Sequence, residues 1–191
     1  MDRRVRKTHK AIMQAYFDLI RENKTTKVSV SDIARKADID RKTFYLHFDS
    51  VDQVLEKYID ERVMYIDSLL EENNYFSDPF DVEKVYSIME MVQKDDIKFL
   101  TLISKSDTYN ELWIRIQRSI SEKAFQINRS KFDIPQQTLR LMAEYFTSGV
   151  ISIYRRWLKG ELDMGLHELV EQVSTMSHFG IGHYLELPSK N

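Results

Sequence analysis

The sequence contains no cysteine, and only five glycines and three prolines among its 191 residues. Without cysteine the chain can have no disulfide, no thiol nucleophile and no cysteine-ligated zinc or iron–sulfur site. It lacks an apolar run of about 18 residues, so no transmembrane helix is predicted. The apolar stretch of a signal peptide does not follow the charged N-terminus. These absences predict a cytoplasmic protein that folds around a hydrophobic core.

Residues that favour helices are abundant in the sequence. The scarcity of helix breakers, together with many Leu, Ile, Met, Glu and Lys residues, predicts an all-α protein. Apolar residues recur at spacings of three and four, and capping residues mark several helix starts. These patterns predict nine helices and no strand, at about 4–23, 29–37, 41–47, 50–72, 81–94, 95–104, 108–130, 136–158 and 165–182.

The charges are distributed unevenly along the chain. Residues 1–47 carry 12 Lys or Arg against 6 Asp or Glu, whereas residues 48–191 carry 16 against 24. The formal net charge of −2 therefore combines a basic N-terminal segment with an acidic remainder. A basic segment of this size predicts an anionic partner for the N-terminal part alone, although a solvated helix surface would give the same counts.

Two short helices joined by a tight turn follow the first helix. Ser29, with Asp32 three positions later, has the pattern of a capping box at the start of the second helix. Asp38 suits a left-handed turn, and Asp40 is placed to cap the third helix. Ser50 caps a fourth helix that continues into the acidic part. This order predicts a three-helix helix-turn-helix head followed by a C-terminal helical bundle body.

No motif in the sequence predicts catalysis. His178 and His183 are five positions apart, whereas two ligands on one helix face would be four apart. Glu161 and Asp163 are two carboxylates on a loop without a third partner. A glycine-rich phosphate loop and a nucleophile elbow are both absent. We therefore expect neither an enzyme nor a bound metal or cofactor.

Residues 29–55, SVSDIARKADIDRKTFYLHFDSVDQVL, resemble the DNA-binding head of the tetracycline-repressor (TetR) family of transcriptional regulators. The Ile33–Ala34 pair and the run from Thr43 to Phe48 carry this resemblance, which extends over about residues 5–58. Two positions depart from the family pattern: Asp38 replaces a turn glycine, and Val51 replaces a lysine that often contacts phosphate.

The resemblance implies a division of the chain into two functional parts. Residues 1–49 would form the helix-turn-helix DNA-binding domain, and residues 50–191 a ligand-binding and dimerisation domain. Such a protein is expected to be a ligand-responsive repressor that binds a palindromic operator in double-stranded DNA as a homodimer. The alternative is a regulator, acting as an activator, that answers to a protein partner.

The third helix is expected to lie in the major groove, which is wide enough to admit it. Arg41 is the candidate for base readout because its guanidinium can make two bonds to guanine. Lys42 and Thr43 would reach a base or a phosphate. Tyr45 and His47 would donate hydrogen bonds to phosphates, contacts that set register rather than sequence. A half-buried tyrosine and a helix-ending histidine are the alternatives for the last two.

A second group of candidate DNA contacts surrounds the start of the second helix. Ser29 and Ser31 lie where backbone donors and the helix dipole favour a phosphate. Thr26 and Lys27 precede them and would assist. A purely structural cap is an equal alternative for Ser29. Phe44 and Phe48, four positions apart, are expected to face inward and pack on Ile33 and Tyr16.

The last two helices are predicted to pair two chains. The helix at 136–158 is apolar on more than one side, which indicates burial on more than one side. Gly149 in mid-helix costs about 1 kcal/mol relative to alanine, a cost that close helix approach would justify. A four-helix interface with a two-fold axis follows, formed by Leu139, Met142, Phe146, Gly149, Val150, Ile153, Trp157, Leu166, Leu169, Val170, Val173 and Met176.

The middle helices are rich in aromatic and methionine side chains. Walls of this kind suit a small apolar or aromatic effector, and an ordinary hydrophobic core is the competing interpretation. The expectation of an effector comes from the family resemblance. The candidate lining residues are Tyr65, Tyr86, Met89, Phe99, Tyr109, Trp113, Phe125 and Tyr145.

Overall fold

The structure is a computed structural model that describes residues 3–23, 27–94 and 97–180, apart from the side chains of Asn23 and Phe99. Over these ranges it contains nine α-helices, two short 3-10 helices and no strand, which confirms the predicted all-α class. The α-helices are α1 (Arg3–Asn23), α2 (Val30–Lys36), α3 (Arg41–Tyr45), α4 (Val51–Glu72), α5 (Val82–Lys94), α6 (Ile97–Ser104), α7 (Asn110–Asn128), α8 (Gln136–Leu158) and α9 (Leu166–Phe179).

The described chain divides into two compact units, called the head and the body. The head extends as far as Arg62 and includes Ser106–Thr108, and the body comprises Val63–Lys105 and the residues from Tyr109 onward. The division lies inside α4, later than the predicted boundary after residue 49.

The first turns of α4 belong to the head because they complete its hydrophobic core. Tyr58 packs on Phe17 of α1 with 4.1 Å between ring centroids. Burying large aromatic rings contributes the most to a small core, since each removes a large apolar area from water. The buried side chains of the head come from all four helices and include Ile12, Tyr16, Phe17, Ile20, Ile33, Ala34, Phe44, Phe48, Val54, Tyr58 and Ile59.

Local capping sets the ends of the short head helices. The hydroxyl oxygen of Ser29 accepts a hydrogen bond from the backbone N–H of Asp32 at 3.2 Å, and Asp40 accepts one from the backbone N–H of Thr43 at 2.6 Å. Between them Asp38 adopts a φ of 54°, a left-handed conformation that aspartate tolerates better than most residues. The helix-turn-helix therefore forms as the pattern of caps and turn predicts.

The body is held together by an apolar core and by polar contacts between helices. One core cluster joins the end of α4, the start of α5 and α9. The segment after α4, which the sequence indicates only as a loop, contains a 3-10 helix, Tyr75–Ser77, whose Tyr75 and Phe76 are buried in that cluster. Burial raises the pKa of the Tyr75 hydroxyl above its usual value.

A polar contact joins α7 to the second half of α4. The Ser119 hydroxyl donates to the carboxylate of Asp67 at 2.8 Å, and the Lys123 ammonium lies 3.6 Å from the same carboxylate. Lys123 also pairs with Glu71 at 2.5 Å. Partly buried charges need such partners, because a polar group removed from water without one is destabilising.

Candidate nucleic-acid interface and effector site

The α3 helix separates its side chains into a buried and an exposed set. Phe44 is fully buried and Phe48, just beyond the helix, is 3% exposed, with their ring centroids 6.1 Å apart. Arg41 and Lys42 are exposed on the other side, and Arg41 makes no ion pair with any other described residue. The two phenylalanines therefore fix the orientation of a helix that presents two cations to solvent.

Tyr45 and Leu46 extend this exposed surface. The side chain of Tyr45 is 47% exposed, and its ring contacts Phe44 edge to face at 5.6 Å. Leu46, the residue that caps α3, is 74% exposed and lies one helical turn beyond Lys42. Sequence inspection missed Leu46 because a single leucine beside an aromatic run looks like core. Phe44 and Phe48 fill the inward positions of this segment, so their spacing could have predicted that Leu46 faces outward.

Thr43 and His47 are half-buried at the edges of the same surface. Hydrogen bonds from the backbone and side chain of Thr43 lower the pKa of the Asp40 carboxyl below its usual value. The Thr43 hydroxyl is thus engaged in capping α3. His47 meets the ring of His9 from α1 edge to face, with 5.1 Å between centroids.

The start of α2 has different electrostatics. The Ser29 hydroxyl donates to the Asp32 carboxylate at 2.6 Å, and Arg35 donates to the same carboxylate at 2.7 Å. The Ser29 hydrogen bond and then the Arg35 charge lower the pKa of Asp32. An ionised carboxylate therefore lies beside the Ser29 hydroxyl, and the predicted phosphate contact of Ser29 stays a prediction. Ser31 and Lys27 are exposed nearby in sequence, and Thr26 lies outside the described residues.

The body contains a small crevice between α5, α8 and α9, with a free volume of about 20 Å³, enough for about one water molecule. It is mostly apolar, and Tyr75, Tyr154 and Ser174 are the lining residues that carry hydroxyl groups. Burial raises the pKa of Tyr154 to about 12. The remaining lining residues are Pro79, Val85, Met89, Phe146, Val150, Ile153, Leu169, Val170 and Val173.

The predicted effector residues are dispersed in the structure. Met89 lines the crevice, whereas Tyr109, Trp113 and Phe125 are buried elsewhere in the body. Tyr86 is half-buried and donates to Glu90 at 2.7 Å. Tyr65 and Tyr145 are exposed, and the side chain of Phe99 lies outside the described part of the chain.

The predicted dimer residues divide between the crevice, the core and the surface. Phe146, Val150, Ile153, Leu169, Val170 and Val173 line the crevice. Leu139 is buried, Trp157 donates its indole N–H to the carbonyl oxygen of Met164 at 2.8 Å, and Leu166 and Met176 are half-buried. Met142 and Gly149 are the members of the predicted set that are fully on the surface.

One face of α8 is apolar and exposed. Leu141, Met142 and Tyr145 are 69%, 52% and 76% exposed, and Gly149 lies one turn further along. A Cβ at Gly149 would meet nothing within 4 Å in this chain. Leu141 and Tyr145 were not in the predicted interface, because helical spacing alone does not say which apolar face a neighbouring helix covers.

Two kinds of feature are absent from the described residues. They contain no group of three or more His, Cys, Asp or Glu side chains that could hold a metal ion. None of their helices is both long enough and apolar enough to cross a membrane.

Known sequences match the head. A family model described as bacterial regulatory proteins of the tetR family matches residues 12–58. The HTH-type transcriptional regulator YxbF of Bacillus subtilis (strain 168) is 37% identical over 60 residues, which are 31% of this chain and 16% of that protein. This chain thus spans a small part of the length of YxbF.

Solved structures share the fold over most of the chain. A TetR transcriptional regulator from Streptococcus agalactiae 2603V has a TM-score of 0.66 at 23% identity, covering 92% of this chain and 96% of that one. The dihydroxyacetone kinase operon activator DhaS has a TM-score of 0.63 at 20% identity, with coverages of 92% and 97%.

A third solved structure of similar fold contains a bound ligand. Thermus thermophilus FadR, a TetR-family repressor in complex with lauroyl-CoA, has a TM-score of 0.60 at 17% identity, with coverages of 96% and 97%. Residues 12–58 therefore match the helix-turn-helix of the bacterial tetR family of regulatory proteins, and the fold over most of the chain is similar to that of solved TetR-family regulators.

Proposed function

We propose that the protein is a sequence-specific DNA-binding regulator that recognises a palindromic operator as a homodimer. The main support for this proposal is that α3 has one buried side and one exposed side. Its buried Phe44 holds the helix in place, while Arg41, Lys42 and Tyr45 are exposed together. A short helix anchored in this way can enter the major groove and bring an arginine to base edges.

The rest of the head supplies the phosphate contacts. The basic residues at the start of α1, Arg3, Arg4, Arg6, Lys7 and Lys10, are all exposed. Such cations increase affinity for any DNA without selecting a sequence. Tyr45 and His47 border the α3 surface and are proposed as phosphate donors. Lys27 and Ser31 are proposed as weaker contacts, because the ionised Asp32 beside them repels a phosphate.

Selection of bound fragments from random DNA tests this proposal directly. We expect enrichment of a palindrome whose half-sites are about 34–36 Å apart or at a related spacing. Leu46 is proposed to contact a thymine methyl group, so selection with Leu46→Ala should lose a thymine from each half-site while keeping the palindrome. Enrichment of no palindrome by the unmodified protein would contradict the proposed function.

The exposed apolar face of α8 is the proposed dimer surface, and the end of α9 extends it. Three side chains of α8 and Phe179 at the end of α9 are more than half exposed. A contiguous apolar face of this kind marks an interaction site when rimmed by polar residues. Close approach of a second copy would also account for Gly149, which no contact within the chain requires. Two-fold pairing of this face then places two heads for a palindrome.

We propose further that a small apolar or aromatic effector opens the crevice between α5, α8 and α9. Its lining is apolar with three hydroxyl groups, the composition expected of a ligand site. A repressor of the same fold has been solved with lauroyl-CoA. Because the crevice holds about one water molecule, binding must separate the helices, and the ligand-bound conformation is the minor state of the free protein.

The small volume of the crevice also favours a second candidate, control by a protein partner that enters no cavity. DhaS, of similar fold, is named as an operon activator. Thermal unfolding in the presence of lauroyl-CoA and of small aromatic compounds distinguishes the two. We expect a ligand to raise the unfolding temperature, and Val150→Phe, which fills the crevice, to abolish the shift. No shift with any compound would favour the protein partner.

A further inference from the structure

The head contains a pair of histidines that the proposed DNA contacts only partly explain. His9 lies on α1 and His47 follows α3, and their rings meet edge to face with centroids 5.1 Å apart. The His9 ring also lies on Phe48 at 4.6 Å, with an interplanar angle of 40°. His9 therefore joins the buried anchor of α3 to the half-buried imidazole at the edge of its exposed surface.

The surroundings of His9 oppose a positive charge on its ring. Burial lowers the pKa of His9 below its usual value, and His47 and Lys57 lower it further. Glu61 acts in the opposite direction, but it also lies 3.9 Å from Lys57. His47 lies just after α3, and Lys57 and Glu61 lie on α4.

We infer that His9 is a positioning residue: its ring holds the His47 imidazole at the DNA-facing edge, where His47 donates a hydrogen bond to a phosphate. The inference rests on the proposed DNA binding. An imidazole free to rotate would lose that geometry, and fixing it on binding would cost rotamer entropy.

The test measures affinity for a selected operator fragment by fluorescence anisotropy, at constant pH and ionic strength. His47→Ala should lower the affinity by roughly tenfold or more, because a hydrogen bond to a charged phosphate is lost. His9→Ala should do nearly the same, although His47 itself is unchanged. His9→Phe, which keeps a ring against His47 and Phe48, should restore the affinity.

A double substitution and a distant histidine provide the controls. In the His47→Ala background, His9→Ala should have little further effect, since residues that act as a unit are not additive. His167→Ala, at the start of α9 in the body, should leave the affinity unchanged. Wild-type affinity in His9→Ala, or full additivity in the double variant, would overturn the inference while leaving DNA binding intact. Failure of the wild-type protein to bind any selected fragment would instead overturn the proposed function and this inference with it.

Discussion

Arg41→Ala is expected to relax base preference at one position in each half-site and to weaken operator binding by about 1–3 kcal/mol per contact, roughly fivefold to 150-fold. The reason is geometric. Arg41 is the first residue of α3, its side chain is exposed, and α3 is held by the fully buried Phe44. A guanidinium held at this edge can make two hydrogen bonds to one guanine, and alanine leaves both acceptors of that base unpaired.

Two matched variants separate base readout from general electrostatics. Lys42→Ala removes a neighbouring cation and should weaken binding similarly on all sequences, with a smaller salt dependence. Arg35→Ala removes a cation that is 79% exposed but paired with Asp32 at 2.7 Å, so its effect should be small. Affinities are compared on the operator and on fragments changed at single positions. Uniform weakening by Arg41→Ala across all fragments would make Arg41 a phosphate contact.

The head could be predicted closely from the sequence because its signals are local. The caps at Ser29 and Asp40 and the left-handed turn at Asp38 each depend on residues within about four positions. The inward orientation of Phe44 and Phe48 follows from their spacing alone. The exposure of Leu46 could not be predicted in this way, because it depends on which inward positions the two phenylalanines already fill. The contact of His9 with His47 was missed as well, because it forms only after α1 folds against the other helices.

The body could be predicted only as a set of helices. Periodicity shows that Phe146, Val150 and Ile153 share one face of α8, but not that α9 and α5 cover that face within the same chain. The polar side of α8 illustrates why. Glu144 accepts hydrogen bonds from Ser121 at 2.9 Å and from Gln117 at 3.2 Å, so a charged residue marks a helix contact and apolar Tyr145 beside it faces solvent.

The effector residues could not be placed from the sequence for a related reason. An aromatic side chain in a helical body serves equally well as core or as a pocket wall, and the sequence pattern is the same for both. Trp113 shows the distinction: it is 5% exposed and packs against Tyr154 at 6.4 Å between ring centroids. Which aromatics remain at a cavity depends on the packing of all the helices together, and that packing is not local.

Tyr145→Glu is expected to convert a dimer into a monomer and to lower operator affinity by about a hundredfold to ten-thousandfold. Tyr145 lies at the centre of the exposed apolar face of α8 and is 76% exposed. Across a two-fold axis each substitution places two carboxylates in an apolar interface, where unpaired charges are strongly destabilising. Two linked heads bind a palindrome with an effective concentration that separate heads lack, which sets the size of the loss.

Sedimentation equilibrium and anisotropy on the same samples measure both effects. Gly149→Ala tests close approach without adding charge: in the single chain the added Cβ meets nothing within 4 Å, so a loss of dimer would come from the second copy. Met64→Glu is the control, because Met64 is 68% exposed on α4 and surface substitutions of this kind change stability by about 0.5 kcal/mol or less. A wild-type chain that stays monomeric at micromolar concentration, or a Tyr145→Glu variant that stays dimeric, would place the pairing surface elsewhere. A monomeric variant with intact helices and wild-type operator affinity would mean that a single head suffices for recognition.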